Sequence, residues 1–158
     1  MRRSKLDKID RRILRDLQAD GRMTNVELAQ RAGISAPPCL RRVRTLENAG
    51  FIRGYHADID PEALGFGITV FALVGLASQA EIDLKAFERL VSSWPEVREA
   101  HQLSGEIDFL LKIVAADWDS YQRFLAAKLT PAPNVKNVRS MPLNHTAKFE
   151  PGVPIDAD

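Results

Sequence analysis

Apolar residues in the first fifty positions return at helical intervals. Over residues 7–19, Ile9, Ile13, Leu14 and Leu17 fall at i, i+4, i+5 and i+8 with arginines and aspartates between them, the stripe of an amphipathic helix. Asp7 is placed to cap its start, and Gly21 follows its end. A second, short helix opens at Thr24, whose partner Glu27 stands three residues on in a capping box, and it stops at Gly33. A third takes Ser35 as N-cap and runs to about Ala49, with Gly50 ready for the left-handed conformation beyond it. Pro37 and Pro38 fall in its first turn, where backbone N–H groups have no intrahelical acceptor to lose. Two helices joined only by the turn Ala32-Gly33-Ile34-Ser35 read as a helix-turn-helix, whose last helix lies in a DNA major groove. Projected at 3.6 residues per turn, Cys39, Leu40, Val43 and Leu46 share the third helix's inward side. Pro37, Arg41, Arg44, Thr45 and Asn48 share the outward side, with Arg42 on its flank.

The pattern then changes period. Residues 51–59 (FIRGYHADI) are short, partly alternating and rich in β-formers, which predicts a small hairpin or wing, and Arg53 there can touch backbone phosphate. Asp60-Pro61 breaks the pattern, and residues 61–65 read as a linker. Residues 66–77 are a β-branched and aromatic run that reads as a buried strand. Ile82, Leu84, Phe87, Leu90 and Val91 place a helix over 80–93, and Pro95 marks its exit. Strands follow over Val97–Leu103 and Ile107–Val114, joined by the turn Ser104-Gly105-Glu106. Trp118, Tyr121, Phe124, Leu125 and Leu129 give a helix over 117–129, and a last extended stretch runs from Val135 to about Phe149. Strand-helix-strand, twice over, is the split βαβ of ferredoxin-like domains. Helices cover one face of such a sheet, and a dimer is the expected cover for the other. The expectation is an α+β chain: a winged helix-turn-helix domain over 1–60, a linker over 61–65, and a ferredoxin-like βαββαβ domain over 66–158.

Charge sharpens that division. The 158 residues carry a formal net charge of only +1. Residues 1–60 hold 13 Lys/Arg against 8 Asp/Glu, net +5, which leaves 9 against 13, net −4, for residues 61–158. A basic part joined to an acidic part is expected when only one of them meets a polyanion. Arginine suits that task, because its fork donates two bonds to guanine O6 and N7 or to a phosphate. A single cysteine, Cys39, excludes an internal disulfide and a cysteine-based zinc site. No apolar run reaches the roughly 18 residues of a membrane span, and MRRSKLDKID lacks the apolar core of a signal peptide, so a cytoplasmic protein with no membrane partner is expected.

Catalytic chemistry finds no constellation in the second half. His101 and His145 have no Cys or His at metal spacing, and neither a GxSxG nor a glycine-rich loop occurs. Asp108 stands out, because it follows the Ser104-Gly105 turn at the head of an apolar strand. There its carboxylate can meet a ligand's ammonium, or it can merely cap its own turn.

With those residues in hand, the chain resembles the Lrp/AsnC family of transcriptional regulators over essentially its full length. Residues 6–61 look like the family's winged helix-turn-helix. The portion SxxPCLxRVRxLExxGFIxGY, from Ser35 to Tyr55, is closest to the leucine-responsive members. HQLSGEIDFLLK, His101 to Lys112, is similar to the family's effector-loop signature, and VKNVRSMPLNHTAKF ends with its Lys148. The resemblance implies a domain that dimerises and assembles into octamers or larger, with amino-acid effectors such as leucine bound between dimers and no other cofactor or metal. It implies DNA contacts from Thr24, Asn25, Ser35, Ala36, Pro37, Pro38, Arg41, Arg42, Arg44, Thr45, Asn48 and Arg53. It places the effector against Ser104, Gly105, Glu106, Ile107 and Asp108, with Trp118, Met141, Pro142 and Leu143 nearby. Arg41 and Pro142 depart from the family's pattern; the first bears on site preference, the second on how the last strand pairs. Two alternatives follow from the same resemblance: a dedicated regulator of another amino acid, and the small enzymatic branch that decarboxylates siroheme. The basic third helix argues against the enzyme.

Overall fold

The computed structural model describes residues 6–156; the outer ends of the two expected domains, 1–5 and 157–158, lie outside them. Three helices open the chain: α1 (Lys8–Ala19), α2 (Asn25–Ala32) and α3 (Ala36–Asn48). Their starts follow the local chemistry closely. Asp7 and Asp10 form a reciprocal capping box at α1, and Thr24 and Glu27 form one at α2. Gly33 ends α2 at φ 71°, a left-handed turn that only glycine makes without steric cost. Ser35 stands at the N-cap of α3 without a side-chain cap bond, and the two prolines sit in the first turn as expected. Ile13, Leu28, Ala29, Ala32, Cys39 and Leu46 are buried together, and Val43 packs against them half-exposed. Leu40 departs from its expected inward place. It is 40% exposed and lines a shallow groove with Met23 and Tyr55.

The hairpin expected over residues 51–59 shows no strand pairing among the described residues. The reversal comes at once after α3, at Gly50 with φ 76°, and Phe51 and Ile52 both donate to the Leu46 carbonyl. Gly54, the residue a tight hairpin turn would use, does not take positive φ, so residues 53–60 run on without strand pairing. Tyr55 instead donates its hydroxyl to Glu47 (3.0 Å), and burial, reinforced by that carboxylate, pushes the phenol up to about 12.

The second body is one antiparallel sheet under two helices. Its elements are β1 (Ile68–Leu76), α4 (Glu81–Ser92), β2 (Val97–Gln102), β3 (Phe109–Ala115), α5 (Trp118–Phe124) and β4 (Val135–Pro142). The strand order β2-β3-β1-β4 is that of the expected βαββαβ fold. Val70, Ala72, Val74, Leu111 and Ile113 face the helices and meet Phe87, Val91, Tyr121 and Phe124. Period-two alternation places Phe71, Leu73, Leu110 and Val114 on the opposite face, half-buried and with no helix over them.

Three boundaries differ from expectation. Residues 61–65 are not a free linker: Asp60 Oδ1 accepts from the Glu62 amide (2.9 Å) and starts a short turn, Glu62–Leu64, that belongs to the second body. α5 does not run to residue 129 as one α-helix; residues Leu125–Leu129 widen into a single π-helical turn. β4 stops at Pro142, not near Phe149. The Leu143 amide still reaches the Thr69 carbonyl (2.9 Å), but Gly67 turns to Ala116 and β1 supplies no further edge. Pro142 is tolerated because β4 is an edge strand.

Among the described residues, the two compact bodies are residues 6–58 with 148–156, and residues 59–147. The segment after residue 147, expected in the second domain, therefore packs with the first.

Candidate DNA interface and effector site

On α3, the short turn after Gly33 and the packing of Cys39 and Leu46 leave one face outward. Pro37, Arg41, Arg44, Thr45 and Asn48 are all exposed, as the helical projection expects. Arg41 and Arg44 take part in no ion pair among the described residues. Thr45 returns its hydroxyl to the Arg41 carbonyl (2.9 Å). Ser35 is exposed at the head of the helix, with Ala36 and Pro38 half-buried behind it. Arg53 is exposed on the segment after α3.

Three expected DNA contacts are committed to the protein itself. Arg42 Nη1 lies 2.7 Å from both Asp7 Oδ2 and Asp10 Oδ1, so the flank arginine clamps α3 to the first turn of α1. Asn25 donates its amide to the Ala36 carbonyl (2.9 Å), fastening the start of α2 to the start of α3. Thr24 gives its hydroxyl to Glu27 inside the capping box. The Asp10 backbone N–H and the Arg42 guanidinium hold the Asp7 carboxyl below its ordinary 3.8. A carboxyl depressed on folding contributes stability above its unfolded pKa and loses it as pH falls through the lower folded value. Arg42→Ala is expected to cost on the order of 1 kcal/mol near pH 7, because the cluster is partly open to water, with no change in the salt dependence of DNA binding. Thermal melts across pH 2–7 check this. The wild type should lose its advantage over the variant below about pH 4; melting curves that fall in parallel would rule the clamp out.

The effector-loop residues occupy the turn between β2 and β3. The Leu103 amide closes the turn on the Asp108 carbonyl (2.8 Å), and Gly105 takes φ 142°, which favours glycine. Ser104, Gly105 and Glu106 are exposed, while Ile107 is half-buried. Asp108 is 7% exposed, and it does not cap its own turn. Its Oδ2 accepts from the Leu76 amide across the sheet (2.6 Å), and its amide donates to the Val74 carbonyl (3.1 Å). A group that sequence reasoning passed over, Asn134, steadies the same strand end. At φ 68°, its side-chain amide pairs with both main-chain groups of Ser78, each at 2.8 Å. An Asn after Pro131 and Pro133 was the available signal.

The remaining effector candidates are elsewhere. Met141, Pro142 and Leu143 pair with the Val70 end of β1, and Trp118 follows β3 at the same end, its ring 5.2 Å from that of Tyr121. Tyr121 in turn meets Ser140 (2.5 Å), so this is one contiguous group. Six residue steps separate Leu76 from Val70, about 20 Å along a strand. Within one chain, the effector residues therefore form two groups at opposite ends of the sheet. On the uncovered face, Glu99 stands beside Lys112 (2.9 Å) and His101 (3.2 Å), which together hold its carboxyl below the usual range, Lys112 most strongly. The Cys39 thiol is buried and pushed up by desolvation, which removes it as a nucleophile. Among the described residues, no group of three or more metal-ligating side chains converges, and no helix is long and apolar enough to cross a membrane.

These features match known proteins over both bodies. A family model described as the Lrp/AsnC ligand binding domain covers residues 69–153, and one for winged helix-turn-helix DNA-binding covers residues 6–53. The chain belongs to the Lrp/AsnC family. It is 57% identical over 139 residues to the leucine-responsive regulatory protein of Rhizobium meliloti (strain 1021), spanning 88% of this chain and 89% of that one. To the leucine-responsive regulatory protein of Escherichia coli (strain K12) it is 42% identical, over 85% and 82% of the two chains. A crystal structure of a Neisseria meningitidis transcriptional regulator in complex with L-Met superposes with a TM-score of 0.90 at 36% identity, over 95% and 97% of the two chains. An AsnC family regulator from Agrobacterium tumefaciens gives 0.87 at 34% identity, over 94% and 97%. Like its Lrp/AsnC relatives, the chain is a DNA-binding transcriptional regulator with an amino-acid-binding domain, and the tetrapyrrole enzyme is not favoured.

Proposed function

We propose that this regulator reads double-stranded DNA in the cytoplasm with the outward face of α3, and that an apolar amino acid, leucine first, changes its DNA occupancy through its assembly. Arg41, Arg44, Thr45 and Asn48 carry the groove contacts, with Pro37 and the helix N-terminus giving shape and Arg53 a phosphate contact. The observation that carries the rest is the separation of the effector residues. A ligand touching both the Asp108 turn and the Trp118/Met141–Leu143 group requires two chains, so ligand occupancy and assembly are thermodynamically linked. Asp108 and the turn amides suit an ammonium and a carboxylate; Ile107 suits an apolar side chain. The uncovered sheet face, with Phe71, Leu73, Leu110 and Val114, supports a dimer that builds into octamers or larger.

A second effector is favoured by one specific finding, the L-Met complex of the Neisseria relative. The test is a gel-shift titration on DNA upstream of the protein's own gene, with and without millimolar L-Leu or L-Met, at two salt concentrations. Salt-sensitive binding that leucine alters is expected. A response to methionine alone would move the effector to the second reading, and the absence of DNA binding would overturn the first. Sedimentation with and without ligand reads the assembly in the same samples.

A further inference from the structure

The chain after residue 147 returns to the DNA-binding body, where the Gln18 side chain grips its backbone. Gln18 on α1 donates from Nε2 to the Val153 carbonyl (2.8 Å) and accepts at Oε1 from the Val153 amide (3.0 Å), across 135 positions of sequence. A primary carboxamide is the neutral side chain whose donor and acceptor stand side by side, so it can replace a neighbouring strand for a single residue. Gly152 is required by the fit twice over. Its φ is +88°, and a Cβ there would fall 2.1 Å from Gln18 Oε1. Beyond the clamp, Val153, Pro154 and half-buried Ile155 line one side of a cleft of about 620 Å³, opposite Leu14, Leu17 and Ile52.

The topology gives this contact a meaning beyond packing. The chain leaves the DNA-binding body at Asp58 and re-enters it at Lys148, so that body is tied to the effector body by two passages of chain. The first is continuous with α3. The second holds only while the Gln18 clamp and the Ile155 contact hold. Two neutral hydrogen bonds in an exposed setting, with one half-buried isoleucine, open far more readily than a core.

We propose that residues 148–156 are a releasable strap: Gln18 grips Val153, and the docked strap couples the DNA-binding body to the effector body. The proposal deepens the amino-acid-responsive reading and rests on it. With the strap docked, a change at the effector body is passed on through both passages. With it released, the DNA-binding body keeps its own fold and its α3 face but is freer to reorient, so DNA binding persists and the ligand's influence on it shrinks. By linkage, whatever ligand-bound state favours a docked strap is also the state in which the strap is hardest to release.

The test uses the full chain with Gln18→Ala and, as an independent break, Gly152→Val. Hydrogen exchange is read over residues 148–156, together with the gel shift described above and L-Leu or L-Met as the ligand. Wild type is expected to protect the Val153 amide about tenfold more than either variant. Both variants should bind DNA without ligand within about threefold of wild type, while the ligand-induced change in affinity falls at least about fivefold. Equal exchange in wild type and Gln18→Ala would overturn the clamp. Lost protection with an unchanged ligand response would overturn the coupling and leave the segment as packing. If neither amino acid alters wild-type DNA binding, the amino-acid reading fails and the coupling fails with it, whereas the exchange data still judge the clamp separately. Gln18→Glu keeps the acceptor and removes the donor, so partial protection in that variant is the intermediate result expected of a two-bond grip.

Discussion

Arg44→Ala is expected to lower DNA affinity about 5- to 150-fold per recognition helix, the roughly 1–3 kcal/mol range of a lost arginine contact to a base edge. Arg42 is two positions away, but both of its acceptors are aspartates at the first turn of α1. Arg44 is exposed on the same face as Arg41 and Asn48 with its guanidinium unpaired among the described residues, so truncation removes no internal bond and should leave the melting temperature in place. Salt distinguishes the two kinds of contact. If Arg44 neutralises a phosphate, the slope of log affinity against log salt falls by about one per lost contact; if it reads guanine, affinity drops on the specific site while the slope and the non-specific binding stay nearly constant. Gel shifts at three salt concentrations on specific and scrambled duplexes give both numbers. Unchanged affinity on both duplexes would remove Arg44 from the interface. Arg42→Ala is the paired control, expected to behave in the opposite sense, less stable and with an unaltered slope.

Asp108→Ala is expected to abolish the response to the amino acid, weakening ligand binding by well over tenfold, as truncating one side of a desolvated charge contact commonly costs 2–5 kcal/mol. The same variant should also destabilise the effector body by about 1–3 kcal/mol, because the Leu76 amide loses its buried acceptor. Two effects in one substitution would be hard to separate, and Asp108→Asn separates them. The carboxamide oxygen can still accept from the Leu76 amide, while the charge that meets an ammonium is gone. Calorimetric titration with L-Leu, beside a thermal melt, should therefore show an Asn variant that melts close to wild type and binds ligand as poorly as the Ala variant. Retained ligand binding in the Asn variant would mean that Asp108 only fastens β3 to β1, and the ammonium partner would have to be sought elsewhere.

What could be read from the chain by eye was whatever depends on neighbours within a few positions. The aspartate pair at 7 and 10, the Thr24–Glu27 pair and the glycines at 33 and 50 announce helix ends because capping acts over three or four residues. The order of strands and helices is equally local, and the alternation of Val70, Ala72 and Val74 against Phe71 and Leu73 already marks a covered and an uncovered sheet face. What stays hidden is a partner far away in sequence. Nothing near Arg42 betrays its acceptors, which lie 32 and 35 positions upstream. Asp108 was weighed as the cap of its own turn, yet its acceptor oxygen serves a strand 32 positions earlier. That the two groups of effector candidates meet opposite ends of β1 is hidden for the same reason, because motif order along the chain does not say which end each motif pairs with. Leu40 was projected inward by periodicity, which assigns a direction but not the presence of something to pack against.

The discontinuity of the DNA-binding body also has a history written into it. A ribosome delivers α1, α2 and α3 first, and their contacts are all within that opening segment, so they can fold while the rest is still being made. The residue that Gln18 grips lies 135 positions later. At about 5–20 residues per second, that gap corresponds to on the order of ten seconds. Every newborn molecule therefore passes through an interval in which its recognition helix is complete and tethered at one end only. Until Val153 arrives, the three helices hold their fold on their own core, without the Gln18 grip.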